Sequence, residues 1–90
     1  MKIKKTVRGF SCYEFEDCNG IKCSLQESSS EDAIWLGCED ANPQRLIPGE
    51  GWHVIEMPSE YIANTRMHLT QDQVKNLLPV LQKFVEKGEI

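Results

Sequence analysis

The clearest alternation of apolar and polar positions lies in the last third of the chain, TRMHLTQDQVKNLLPVLQKFVEKGEI. Val74, Leu77, Leu78, Leu81, Phe84 and Val85 recur at helical spacing, which predicts one amphipathic helix with a single apolar stripe. Thr70 stands where the N-cap belongs and Gln73 at the capping-box position. Lys83 and Lys87 complement the C-terminal dipole, and Gly88 supplies the stop. Pro79 has no N–H for the carbonyl of Lys75, so a kink, and not two helices, is expected there. Just upstream, YIANTRMHL reads as a strand in which Arg66 and His68 point one way while Met67 and Leu69 point the other, toward the helix.

The first half reads as β-structure. In CYEFEDCNGIKCSLQ, Asn19-Gly20 is the favoured dipeptide of a two-residue type I′ turn, which would set Cys18 opposite Ile21 and Glu16 opposite Cys23. That register gives one face Tyr13, Phe15, Ser24 and Gln26 with the Asp17/Lys22 pair. The other face receives Cys12, Glu14, Glu16, Cys18, Ile21, Cys23 and Leu25, and neither is cleanly apolar. ESSSED, residues 27–32, is a polar connection whose serines favour turns or the start of a helical turn. AIWLGC is almost continuously apolar and predicts a central third strand. Residues 39–51, with two prolines and two glycines, read as a long loop of the kind often used for binding. WHVIEM supplies a fourth strand that ends at Pro58.

The expected fold is therefore α+β: an antiparallel sheet of four to five strands packed against one C-terminal α-helix, in a single domain over residues 1–90. A chain of 90 residues has room for one modest core, a size at which a partner or a second copy often buries the remaining apolar surface. A homo-oligomer, most simply a dimer, is the expectation. At 40% hydrophobic and 27% charged, the composition is that of a globular chain. A net charge of −4 argues against direct DNA binding, because few cations are available to replace condensed counterions. No apolar run approaches a membrane span and no h-region follows the basic start, so a cytoplasmic location is expected. Cys12, Cys18, Cys23 and Cys38 match neither zinc nor CxxC spacing and read as free thiols, with no metal or other cofactor implied.

Chemistry resides in few places. Arg66 and His68, two apart on one strand face, suit an anionic group: the guanidinium is a planar fork of donors, and the imidazole adds a tunable one. The alternative is a solvated face paired with acids across the sheet. Trp35 and Trp52 offer flat surfaces for a base or for a partner's pocket, although Trp35 inside IWL also fits a core. Ser28 and Ser29, with Ser30, would present hydroxyls and amides to an anion if a helical turn followed; otherwise they form a polar loop. No metalloprotease, P-loop, nucleophile-elbow or dinucleotide motif is present. His53 and His68 show no convergence in sequence, so a non-enzymatic role is expected.

The strings FEDCNGIKCSLQESS, EDAIWLG and RMHLTQDQVKNLLPVLQKFVEKGE resemble a group of small proteins encoded in tailed phages and prophages, over residues 8–90. The 42–51 loop is compact beside the longer versions in that group. The resemblance carries no activity or ligand residues onto this chain; it implies a context, a small acidic product acting in the host bacterial cytoplasm. In that context the expected role is counteracting bacterial defence. One route is to sequester a nucleotide-derived immune signal at Arg66, His68 and an aromatic. Another is to dock an acidic face, Glu14, Glu16, Glu27, Glu31, Asp32, Glu39 and Asp40, onto a host defence protein. A structural or housekeeping interaction protein is the other class.

Overall fold

The computed structural model describes residues 1–90. Seven strands precede one helix: β1 (Lys2–Lys5), β2 (Ser11–Glu16), β3 (Lys22–Glu27), β4 (Ala33–Cys38), β5 (Gln44–Ile47), β6 (Gly51–Val54), β7 (Arg66–Thr70) and α1 (Gln71–Lys87). The main sheet is antiparallel throughout, in the order β1-β2-β3-β4-β7, while β5 and β6 form a separate hairpin. The α+β class and the antiparallel sheet are those expected, and β4 lies inside the sheet as its apolar run implied.

The register of the β2–β3 hairpin differs from expectation by one residue. Glu16 pairs with Lys22 and Phe15 with Cys23. A three-residue loop replaces the type I′ turn: Gly20 N–H donates to the Asp17 carbonyl and Asp17 N–H to the Ile21 carbonyl, each at 3.0 Å. Only Gly20 has positive φ, at 79°, whereas Asn19 does not. This is a type I turn closed by a left-handed glycine. The cause is Asp17, whose Oδ1 accepts from the N–H groups of Asn19 (2.8 Å) and Ile21 (2.9 Å) and stabilises the longer loop.

The shift re-sorts the sheet, since residues directly opposite share a face. Face A carries Lys2, Lys4, Cys12, Glu14, Glu16, Lys22, Ser24, Gln26, Trp35, Arg66 and His68. Face B carries Ile3, Tyr13, Phe15, Cys23, Leu25, Ile34, Leu36, Cys38, Met67 and Leu69, with Lys5, Ser11 and Glu27 at its margins. One polar and one apolar surface thus replace the two mixed ones. All four cysteines are free; burial, helped by Cys38 directly across on face B, pushes the Cys23 thiol above its ordinary pKa.

β1 was not anticipated in the sequence, yet its turn repeats the same device. Thr6 N–H donates to the Phe10 carbonyl and Gly9 N–H to the Thr6 carbonyl, both at 2.8 Å, while Thr6 Oγ1 accepts from Phe10 N–H. Thr6-x-x-Gly9 is the counterpart of Asp17-x-x-Gly20. Three lysines along β1 also suit an edge strand, where charge opposes pairing with another chain. Across the β1–β2 pair, Lys4 bonds Glu14; this lowers the Glu14 pKa and raises that of Lys4.

Further along, the 39–51 loop contains β5, and the fourth expected strand is shorter, lies over Gly51–Val54 and is absent from the main sheet. The fifth begins only at Arg66. The helix matches its sequence grammar: Thr70 accepts from Gln73 N–H, Gln73 returns the bond to Thr70 N–H, and left-handed Gly88 ends a helix that is continuous through Pro79. Its placement differs. No helical residue is buried, and the only substantial contact of α1 with another element is with β7, so the helix does not lie along the sheet and Met67 remains exposed. The physical reason is the junction, where Gln71 follows Thr70 with no linker in which the chain could reverse.

Two measurements check the turn and the edge pair. In urea unfolding, Asp17→Ala should cost about 1 kcal/mol and Asn19→Ala only a few tenths, the reverse of what a type I′ turn requires. Because the Glu14 pKa is lowered on folding, the pair's contribution is present above the unfolded carboxylate pKa and is lost as pH falls through the folded one. The stability difference between the native chain and Glu14→Gln should therefore vanish in acid, and should shrink at high salt because both groups are exposed.

Candidate functional site

Three of the expected residues meet on face A. Trp35 and His68 are cross-strand partners on β4 and β7. The bond from Cys38 N–H to the Thr65 carbonyl brackets Gly37 and Arg66 as a non-hydrogen-bonded pair, and Trp35–His68, two positions along, is another. Such pairs bring side chains closest together. The indole and imidazole accordingly stack with centroids 3.8 Å apart and planes 3° apart.

Arg66 completes the group. Its guanidinium carbon lies 5.5 Å from the Trp35 ring centroid, within cation–π range, and its Nη1 donates to Gln26 Oε1 at 3.1 Å. Gln26 reaches it because the Gln26–Trp35–His68 row crosses β3, β4 and β7 on the same face. No carboxylate pairs with Arg66, since the chain's one salt bridge is Lys4–Glu14. A solvated face neutralised by cross-strand acids is therefore not what surrounds this cation. The arginine is oriented by a neutral acceptor and an aromatic surface, which leaves its remaining N–H donors and its charge for an anion.

Two polar atoms nearby have no partner within the chain: Nε2 of His68 and Oγ of Ser24 are both buried. Ser24 is only 1% exposed, the most buried residue in the molecule. A buried polar group without a hydrogen bond costs about 1–3 kcal/mol, so the packing of the surrounding strands must offset both.

Gly37 holds the arrangement together. Its φ is 153°, and a Cβ placed there would lie 2.3 Å from the Thr65 carbonyl oxygen and 2.7 Å from Arg66 Cα. Only glycine lets the start of β7 approach β4 this closely, and that approach sets where Arg66 stands.

The other expected residues lie elsewhere. Trp52 is on β6 in the separate hairpin, paired with Leu46 and 66% exposed. Ser28 is buried at the end of β3, where its hydroxyl meets that of Ser30 at 3.4 Å; Ser29 is exposed. The serines lead into β4, not into a helical turn, so the anion nest expected of them does not form. Ser28 instead lines an open groove of about 510 Å³ between the β3–β4 connection and the first turns of α1, where Gln71 Nε2 donates to Asp32 Oδ1 at 3.3 Å. Glu27, Glu31 and Asp32 line this groove as well, a poor setting for an anion. Sequence reasoning missed Gln26 and Ser24 as neighbours of the site, because their pairing through Trp35 and Gly37 to His68 and Arg66 joins strands that lie far apart along the chain.

Gly37→Ala should lower stability by about 1–3 kcal/mol in urea unfolding and should change tryptophan fluorescence as Arg66 and His68 shift against Trp35. A neutral result would mean that the close approach does not position the site.

Comparison of the chain with protein-family models, with curated proteins and with solved structures gives no match.

Proposed function

We propose that the chain is a non-enzymatic binding module whose polar sheet face captures an anionic, nucleotide-derived small molecule. The observation that carries this reading is Arg66: a cation without a carboxylate partner, oriented by Gln26 and Trp35. Arg66 supplies bidentate donors to a phosphoryl group. Because β7 is the last strand of the sheet, the imidazole face opposite Trp35 is turned toward the open edge. There a planar base extends the Trp35–His68 stack.

Stacking plus charge pairing holds a ligand without attacking it. A general acid/base mechanism needs a second group converging on the same phosphate. The other histidine, His53, lies on β6 in the separate hairpin, paired with Arg45. The phage-like character of the sequence supplies the biological context: a protein that sequesters a signal nucleotide would blunt a bacterial defence that depends on it.

Geometry favours this reading over docking of an acidic face onto a defence protein. The seven acids form no single face: Glu14 and Glu16 share face A with Lys2, Lys4 and Lys22, and Glu14 is already paired with Lys4, whereas Glu27, Glu31 and Asp32 line the groove beside α1.

Thermal unfolding in the presence of cyclic dinucleotides and cyclic ADP-ribose isomers tests the proposal. A ligand at 100 times its Kd adds about 2.7 kcal/mol, a rise of roughly 10–20 °C for a domain of this size. Arg66→Ala should abolish the shift while leaving the unliganded midpoint within a few degrees, whereas Trp52→Ala should leave it intact. No shift with any of these nucleotides would exclude the reading.

A further inference from the structure

The chain carries two large apolar surfaces that do not cover each other. One is face B, with Tyr13, Phe15, Leu25, Ile34, Leu36 and Leu69 at its centre, none of them fully buried. The other is the stripe of α1, on which Leu77, Leu81, Phe84 and Val85 are all exposed, Phe84 by 56%. Only four of 90 residues are buried, and two of those are serines. A compact monomer does not look like this.

The areas say how much is uncovered. A folded monomer of 10.3 kDa is expected to expose about 5,400 Å², whereas this chain exposes 7719 Å². Its radius of gyration is 16.3 Å, against about 12 Å for a compact chain of this length. The excess surface is about 2,300 Å² per chain. The separate, exposed β5–β6 hairpin contributes part of this excess; even half of it, over two chains, is about 2,300 Å², within the span of obligate dimer interfaces.

The helix cannot close this surface within its own chain. α1 begins at the residue after β7, and the reciprocal Thr70–Gln73 capping bonds span the junction, so reversal would break the cap. Val74 and Leu78 reach the rim of face B across the open groove beside Ile34 and Leu69, and the rest of the stripe runs past it. Dimensions match between copies. A helix of 17 residues is about 25 Å long, and five strands span about 19 Å between the outer strand axes.

We propose that the protein is a two-fold dimer in which α1 of each copy lies across face B of the other. The second copy is the occupant because the same chain supplies both surfaces, in matching length and in the area an obligate dimer needs, and a two-fold axis satisfies both at once. Face A stays outward on each subunit, so the dimer presents two Arg66–His68–Trp35 groups. The proposal does not depend on what those groups bind.

Light scattering on the purified full chain should give twice the chain mass at 10 μM. A folded monomer at that concentration would overturn the proposal. Leu81→Glu with Phe84→Glu should raise the dimer dissociation constant at least about 100-fold, since two buried large apolar side chains become charged; an unchanged constant would overturn it too. Because that variant can also unfold, a second measurement locates the contact. A photoreactive benzoylphenylalanine at position 84, in a chain mixed and refolded with isotopically heavy chain, should cross-link light helix to heavy peptides from residues 11–27 or 33–38. Links confined to one chain, or joining only helix to helix, would show that α1 does not lie on the partner's sheet.

Discussion

Hydrogen-bond register in an antiparallel ladder decides which side chains share a face, and between β2 and β3 a single carboxylate governs it. Asp17 accepts two backbone N–H groups in the β2–β3 turn and lengthens the loop to three residues. The resulting pairing places Glu14 with Ser24 and Phe15 with Cys23. The β3–β4 and β4–β7 pairings add Ser24 with Gly37 and Arg66, and Gln26 with Trp35 and His68, to the same face as Glu14. The turn thus sets which residues of β1 and β2 join the polar face and which join the apolar one. Register errors are costly because side chains alternate with a period of two.

A second constraint acts at the other end of the sheet. β7 passes into α1 without a linker, so the strand carrying Arg66 and His68 also aims the helix. The junction leaves polar face A on one side of the sheet, and apolar face B and the helical stripe both uncovered by the chain itself. Gly37 links the two ends by allowing β7 to approach β4 closely enough for the aromatic stack to form.

Local signals were legible wherever they rested on short-range chemistry. The helix from its Thr70 cap to Gly88, the inner position of β4, the β-character of residues 12–26 and the shared face of Arg66 and His68 each follow from spacing or from a capping residue. The hairpin register was misread because Asn19-Gly20 is a strong signal in isolation and Asp17 was treated as a strand residue. β1 was overlooked because a run of lysines has little hydrophobic pattern, although Thr6-x-x-Gly9 repeats the loop chemistry that follows β2. Trp52 and the serines were grouped with Arg66 on residue type alone. Residue type says nothing about which strands lie side by side.

By itself, then, the sequence determined the elements that depend on neighbours within a few residues: the capped amphipathic helix, the apolar inner strand, and the strand that sets Arg66 and His68 together. Tertiary structure alone decided that Trp35 and Gln26 join them, that Trp52 does not, and that the helix leaves the sheet uncovered. These outcomes turn on pairing between residues distant along the chain, such as the 40-residue separation of Arg66 and Gln26. Local periodicity carries no information about such pairs, because a strand's alternation is the same whichever neighbour it finds.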